Sequence, residues 1–475
     1  MRLVLKRVLL LSLLCISIVG VTVYSYYHDN GNDYTKYINI RDQSDDYDRL
    51  FDNYNFKSFT ISFEEEVFTE MTENMQEHFD EYGDYIDNTM YPINLTYRDS
   101  ETEFTVYEIG FRTKSTTSRN LLRTVDWQGR DVYHQTTFQL QFNETFEYTD
   151  GSNLENILKT REVFNLEQLN FEYSQIYQSD YDETMISEAY THYLYDQADI
   201  LVANASYGVV YLQIGDTIVN YGFFTIIEPI DSEFVKNNFD SNLALEYGDL
   251  YKVTDVLGEG ILDLDYEDLV GINLDDIRYT YSLRNNTLDN TRRTHNNFVS
   301  FIENINDLEY FKENYEDILD YDMFARYLAI SFLVGNTDDI RFNHNNFYLY
   351  FDIYTNKMSF IPFDLDNTLG FGKHLDLSGN FGVDYSIYYI TENPNTLVAA
   401  FFEVDELVEL YDTYLNQFID DIFIYSDFLT MYNASKDIYE LILVDEFHLG
   451  NKTFDLRNIE WYFTEKTMNI VNELQ

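Results

Sequence analysis

The segment from Gly335 to Gly370, GNTDDIRFNHNNFYLYFDIYTNKMSFIPFDLDNTLG, constrains this chain more tightly than any other. Its centre reads as a β-hairpin. Phe347-Tyr348-Leu349-Tyr350-Phe351 is a run of β-favouring residues, Tyr354-Thr355-Asn356-Lys357 supplies a turn, and Met358-Ser359-Phe360-Ile361 returns. An antiparallel hairpin sets its two open ends side by side. Asp338, Asn345 and Asn346 are therefore expected to approach Asp364 and Asp366, although the whole hairpin separates them in sequence. Converging carboxylates repel one another unless a proton or a cation sits between them. Hard oxygen donors of this kind suit magnesium, manganese or calcium. The plain alternative is an acidic loop pair beside an ordinary hairpin, in a chain rich in acidic residues.

The chain has 475 residues, 45% of them hydrophobic and 17% aromatic, which is ample for a packed core and argues against global disorder. Tyr and Phe supply much of that core, with 44 and 37 residues. The formal net charge of −54 excludes non-specific nucleic-acid binding as a default, because a phosphate backbone would be repelled. It favours divalent cations or a basic partner, although most of the charge is explained by a solvated acidic surface.

Arg2, Lys6 and Arg7 precede an apolar run from Val8 to Tyr24, and no small-residue cleavage pattern follows it. Residues 1–27 are therefore expected to form an uncleaved single-pass anchor, with the basic end in the cytoplasm and the bulk of the chain extracytoplasmic. The alternative is secretion after signal cleavage. The sole cysteine, Cys15, lies inside the run, so the exported part carries no disulfide and no thiol chemistry.

Residues 28–54, rich in Asp, Asn and Tyr, read as a polar tether. Strand-like segments dominate from 55 to about 255: Phe138-Gln139-Leu140-Gln141-Phe142 alternates, and Tyr207–Ile214 and Ile218–Ile227 flank Gly215-Asp216, a hairpin signal. One helix interrupts them, with Ile186, Ala189, Tyr190, Tyr193 and Leu194 at helical spacing. Residues 256–305 form an acidic insertion. From 306 onward the pattern is helical, with helices expected over 396–425, 427–446 and 455–474. The expected fold class is α+β, with a β-rich lobe over 55–305 and a helical lobe over 306–475.

These residues resemble the CotH family, the spore-coat protein H type of atypical protein kinase, over residues 90 to 375. The strongest match is Gly335-Asn336-Thr337-Asp338, Asn343-His344-Asn345-Asn346-Phe347-Tyr348-Leu349-Tyr350 and Ile361-Pro362-Phe363-Asp364-Leu365-Asp366-Asn367-Thr368-Leu369-Gly370. Weaker matches are Phe111-Arg112-Thr113-Lys114 with Ser118, Phe142-Asn143-Glu144-Thr145-Phe146, Leu169-Asn170, Tyr221-Gly222 with Glu228-Pro229-Ile230-Asp231, and Leu250-Tyr251-Lys252. The resemblance implies a two-lobed, kinase-like fold that uses ATP and magnesium to phosphorylate Ser or Thr of a surface or coat protein. It implies that Asp338 is the catalytic aspartate serving the acceptor hydroxyl. Asp364, with Asp366 beside it, looks like the metal-binding aspartate after the hairpin. Asn343, Asn345 and Asn346 are each placed to ligate metal, with Asn345 preferred. Arg112, Lys114, Ser118 and Lys252 are candidates for binding nucleotide phosphate.

Two acidic positions outside the hairpin read less simply. Glu188 falls opposite the apolar stripe of its helix, where a kinase places the partner of its lysine; that face points into a cleft or into water. Glu228 ends a hydrophobic strand beside Pro229, which suits either adenine binding or a turn cap.

The chain also departs from the family pattern. Ser115-Thr116 stands where the family commonly has Gly-Asn, and a glycine there lets backbone approach phosphate. Uncharged Gln139 and Gln141 stand where a basic residue is expected to hold phosphate. Three readings follow. The first is an anchored extracytoplasmic kinase acting on a basic, Ser-rich protein. The second is a kinase-like surface or coat interaction protein without turnover. The third is a calcium-dependent adhesion module.

Overall fold

The computed structural model describes residues 28–29, 32–37, 45–115, 119–173, 175–176, 180–241, 247–266, 270–271, 279–285, 295–370, 383–445, 454–456 and 459–475. The chain forms two compact units, one of residues 1–172 and 208–222, the other of residues 173–207 and 223–475. The architecture is mixed α and β, as expected.

The first unit is built on a closed barrel of seven strands. In chain order these are β1 (Lys57–Phe63), β2 (Tyr91–Asp99), β3 (Glu103–Thr113), β4 (Phe138–Gln141), β5 (Gln168–Tyr173), β6 (Ala205–Ile214) and β7 (Thr217–Ile227). Around the barrel the order is β6-β7-β5-β4-β3-β2-β1, closed by the parallel pairing of Val209–Ile214 with Ser58–Phe63. Alternation along β1 buries Phe59, Ile61 and Phe63. Rings interlock inside, with Phe138 stacked on Phe171 at 4.6 Å and Phe63 edge-on to Phe111 at 5.0 Å.

Helix α1 (Glu65–Tyr82) falls in the region expected to be nearly all strand. Its buried residues Phe68, Met71 and Met75 follow helical spacing, and Gly83 ends it in the left-handed region at φ 86°. Part of the expected tether is also packed: Tyr34 and Tyr37 join Leu154, Ile157 and Leu158 in a buried cluster.

The second unit holds α2 (Ser187–Gln197), a five-stranded sheet and a set of helices. The sheet comprises β8 (Asp249–Val253), β9 (Val270–Gly271), β10 (Tyr281–Leu283), β11 (Phe347–Phe351) and β12 (Met358–Pro362), in the order β9-β10-β8-β11-β12. The helices are α3 (Asn296–Asn306), α4 (Leu308–Ile318), α5 (Tyr321–Val334), α6 (Thr396–Phe402), α7 (Asp405–Asp421), α8 (Tyr425–Asp445) and α9 (Ile459–Glu473).

The compact units divide differently from the expected boundary at 305. Residues from 223 onward sort with the helices because β8 pairs antiparallel with β11, Val253 opposite Phe347. The helix expected over 396–425 is broken at Glu403–Val404 into α6 and α7. Among the described residues no helix is long and apolar enough to cross a membrane, and the expected anchor over residues 1–27 lies outside them.

Candidate active site

The hairpin expected from sequence is β11 and β12, paired from Phe351 opposite Met358 to Phe347 opposite Pro362. Its turn is built locally. The Asp352 carboxylate accepts bonds from Tyr354 N, Thr355 N and Thr355 Oγ1, and Asn356 takes the left-handed conformation that asparagine tolerates. Pairing continues past the strands, because Phe363 N donates to Asn346 O at 3.2 Å. The polar residues before β11 and those after β12 are thereby brought to one end of the hairpin.

On the first side, Asp338 is half-buried at the centre of a ring of amides. Asn343 and Asn345 donate through Nδ2 to its Oδ1 at 2.7 and 3.3 Å, and Asn346 donates to its Oδ2 at 3.0 Å. Its backbone N–H is held by Asn336 Oδ1 at 3.0 Å. The Oδ1 of Asn345 accepts from Asp255 N at 3.1 Å, so both ends of that amide are engaged.

On the other side, Asp364 sits in the left-handed region at φ 57°, a conformation held by its surroundings rather than preferred. A carboxylate oxygen of Asp364 lies within 4.8 Å of one of Glu188. Glu188 is 7% exposed, so the face of α2 opposite its apolar stripe is closed from water, not turned toward it. The buried Asp182 carboxylate anchors the start of α2, accepting from Ser187 N and Oγ and from Thr184 N and Oγ1. Farther along, the Thr191 and Thr368 hydroxyls lie 2.7 Å apart, tying α2 to the loop after β12. Leu369 N donates to Val334 O at 2.6 Å, fixing that loop to the end of α5. Asp366 is half-buried and accepts from Asn367 Nδ2 at 2.6 Å.

Asp255 belongs to this cluster and was missed in the sequence. Although Asp255 is exposed, loss of hydration beside the neighbouring chain and then the charge of Asp338 raise its carboxyl above the usual range. Register could have found it: with Val253 opposite Phe347, residue 255 falls opposite residue 345.

The other candidates are placed as follows. Lys252 sits on β8 opposite Tyr348, its ammonium 4.0 Å from the centre of the Phe363 ring. Glu228 is buried, and its Oε2 accepts from both N and Nδ2 of Asn204 at 3.1 Å. Arg112 and Lys114 lie in the first unit. The Arg112 guanidinium donates to Gln139 Oε1 at 3.0 and 2.7 Å, across the paired strands β3 and β4. Lys114 Nζ is 4.0 Å from Glu172. Ser118 lies outside the described residues. Ser115 adopts φ 100°, a backbone region that favours glycine.

Two close carboxylates, one of them buried, are the donor chemistry of a hard divalent cation. Asp364 and Glu188 are the residues here that could hold such a cation. No curated protein matches the chain at a significant level. The family described as CotH kinase protein matches residues 135–459, most of the chain and all of the hairpin site. The chain belongs to the CotH kinase family.

Proposed function

We propose that this protein is a metal-dependent protein kinase that transfers the γ-phosphate of ATP to Ser or Thr of a protein partner. The observation that carries this reading is that one hairpin gathers an amide-ringed Asp338 at one strand end and the Asp364–Glu188 pair at the other. Phosphoryl transfer needs positioned groups and neutralised charge more than covalent help from the protein. Bound at Asp364 and Glu188, with Asp366 and the asparagines as further oxygen donors, a divalent cation supplies charge neutralisation for the phosphates. Asp338 accepts the proton of the acceptor hydroxyl and orients it. Asn343, Asn345 and Asn346 restrain that carboxylate from both oxygens, so it does not swing when a substrate arrives.

A chain of charge −54 attracts Lys- and Arg-rich segments and repels acidic ones, so the acceptor is expected to be basic and Ser-rich. The apolar run before Tyr24 supports a membrane-anchored, extracytoplasmic location. N-terminal sequencing of the mature protein tests it, and a start near residue 25 would indicate secretion.

A second reading, a kinase-like interaction protein without turnover, is favoured by one observation. Gln139 carries no charge, and its carbonyl is taken by Arg112. Incubation of the purified protein with ATP, magnesium and a basic Ser-rich peptide separates the two. Transfer that Asp338→Ala removes supports the kinase; neither nucleotide binding nor transfer leaves the interaction protein.

A further inference from the structure

We infer that Asp339, the neighbour of the proposed catalytic aspartate, is a positioning residue that holds the loop Asp338–Asn346 in its working shape. Adjacent in sequence, the two aspartates have opposite environments: Asp338 is half-buried among amides, whereas Asp339 is 1% exposed. Oδ1 of Asp339 accepts from the backbone N–H groups of Arg341 at 2.9 Å and Phe342 at 3.2 Å, closing a turn immediately after Asp338. Its Oδ2 accepts from Tyr327 Oη at 3.0 Å and from Ser331 Oγ, both on α5. One side chain therefore ties the loop to the rigid helix that precedes it. Its backbone carbonyl accepts from Asn343 N at 3.0 Å and Asn345 N at 3.5 Å, which sets where the asparagine amides stand around Asp338.

The surroundings also explain why a carboxylate is present here. Burial pushes the Asp339 carboxyl upward, while the bond from Ser331 and the charge of Arg341 favour its ionised form. Arg341 is itself 1% exposed and lies among the rings of Phe332, Phe402 and Tyr411, at 5.4 to 5.5 Å. Asp339 thus has two separable functions. Its charge balances a buried guanidinium, and its oxygens pin the loop.

The inference rests on the kinase reading for its catalytic consequence, and two variants separate the functions. Asp339→Asn and Asp339→Ala both remove the charge opposite Arg341, so both lower Tm, Asp339→Ala by more because it also leaves the Tyr327 and Ser331 hydroxyls without their acceptor. Only Asp339→Ala removes the acceptor for the Arg341 and Phe342 amides; in Asp339→Asn the amide oxygen still accepts, and the Tyr327 and Ser331 hydroxyls turn to accept from the new NH2. Asp339→Ala is expected to lower kcat by about 100-fold with KM for ATP little changed, the scale of a small misplacement of a reacting group. Asp339→Asn is expected to keep most of kcat. Hydrogen exchange at Asn343 and Asn345 should become roughly tenfold faster in Asp339→Ala and stay near wild type in Asp339→Asn.

A kcat that falls equally in both variants would make the role structural and overturn the inference. Absence of transfer by the wild-type protein would count against the kinase reading alone. The exchange measurement then decides, and unchanged exchange in Asp339→Ala overturns the positioning role.

Discussion

The charged residues singled out in the two compact units are arranged differently. In the second unit, acidic groups gather: the charge of Asp338 raises the Asp255 carboxyl, and Asp364 approaches a buried Glu188. In the first unit, cations are engaged by the chain itself. Arg112 is held by Gln139, Lys114 stands 4.0 Å from Glu172, and buried Arg161 donates to the carbonyls of Phe142, Tyr107 and Glu108 at 2.7 Å. Like charges brought together are costly without a ligand, whereas paired ones need none. The second unit therefore has the character of a site, and the engaged cations of the first have the character of a scaffold.

Several substitutions test this contrast between the units. Asp338→Ala is expected to have the largest effect, lowering kcat for phosphoryl transfer by about 100-fold or more while ATP affinity and Tm stay near wild type. A loss confined to KM would mean that the carboxylate only binds. Glu188→Gln removes one of two facing carboxylates and should weaken magnesium binding by roughly 10–100-fold, measured by calorimetry. An unchanged magnesium affinity would return Glu188 to a packing role.

Stability against pH compares the units through one buried base in each. Burial lowers Lys57, at the start of the barrel, from 10.5 to about 7, and lowers His192 on α2 from 6.5 to about 4. In both cases the unfolded chain binds more protons across the window, so stability rises with pH, by at most about 1.4 kcal/mol per unit. The stability difference between wild type and Lys57→Met should therefore grow in favour of wild type from pH 7 to 10.5, with no slope from this group below 7. The His192→Gln difference should instead change between pH 4 and 6.5. Denaturant titrations across pH check both, and a Lys57→Met difference that is flat above pH 7 contradicts the first. The smallest effect is expected from Ser115→Gly, which relieves a left-handed backbone at φ 100° and should add about 1 kcal/mol of stability.

What could be read from the sequence was local. The hairpin β11–β12 follows from a run of β-favouring residues and a turn whose Asp352 and Asn356 make their own contacts, so no distant residue had to be known. The hairpin of β6 and β7 across Gly215-Asp216 was legible for the same reason. Helix α1 was not, because Phe68, Met71 and Met75 are a thin stripe in an acidic segment flanked by strands. The burial of Glu188 was not legible, and water was an open alternative for its face, because that burial is decided by residues far away in sequence. Asp339 was passed over because residue type alone does not tell a buried anchor from a half-exposed aspartate beside it.

Under the proposed function, Asp364 and its neighbours make the second unit a metal and nucleotide site. ATP binding to the full-length protein, measured by calorimetry with and without magnesium and repeated on Asp364→Ala, tests it most directly. Binding that requires magnesium in wild type, and that loses this requirement in Asp364→Ala, is the result expected. ATP affinity that is the same with and without magnesium, or no binding at all, would contradict it.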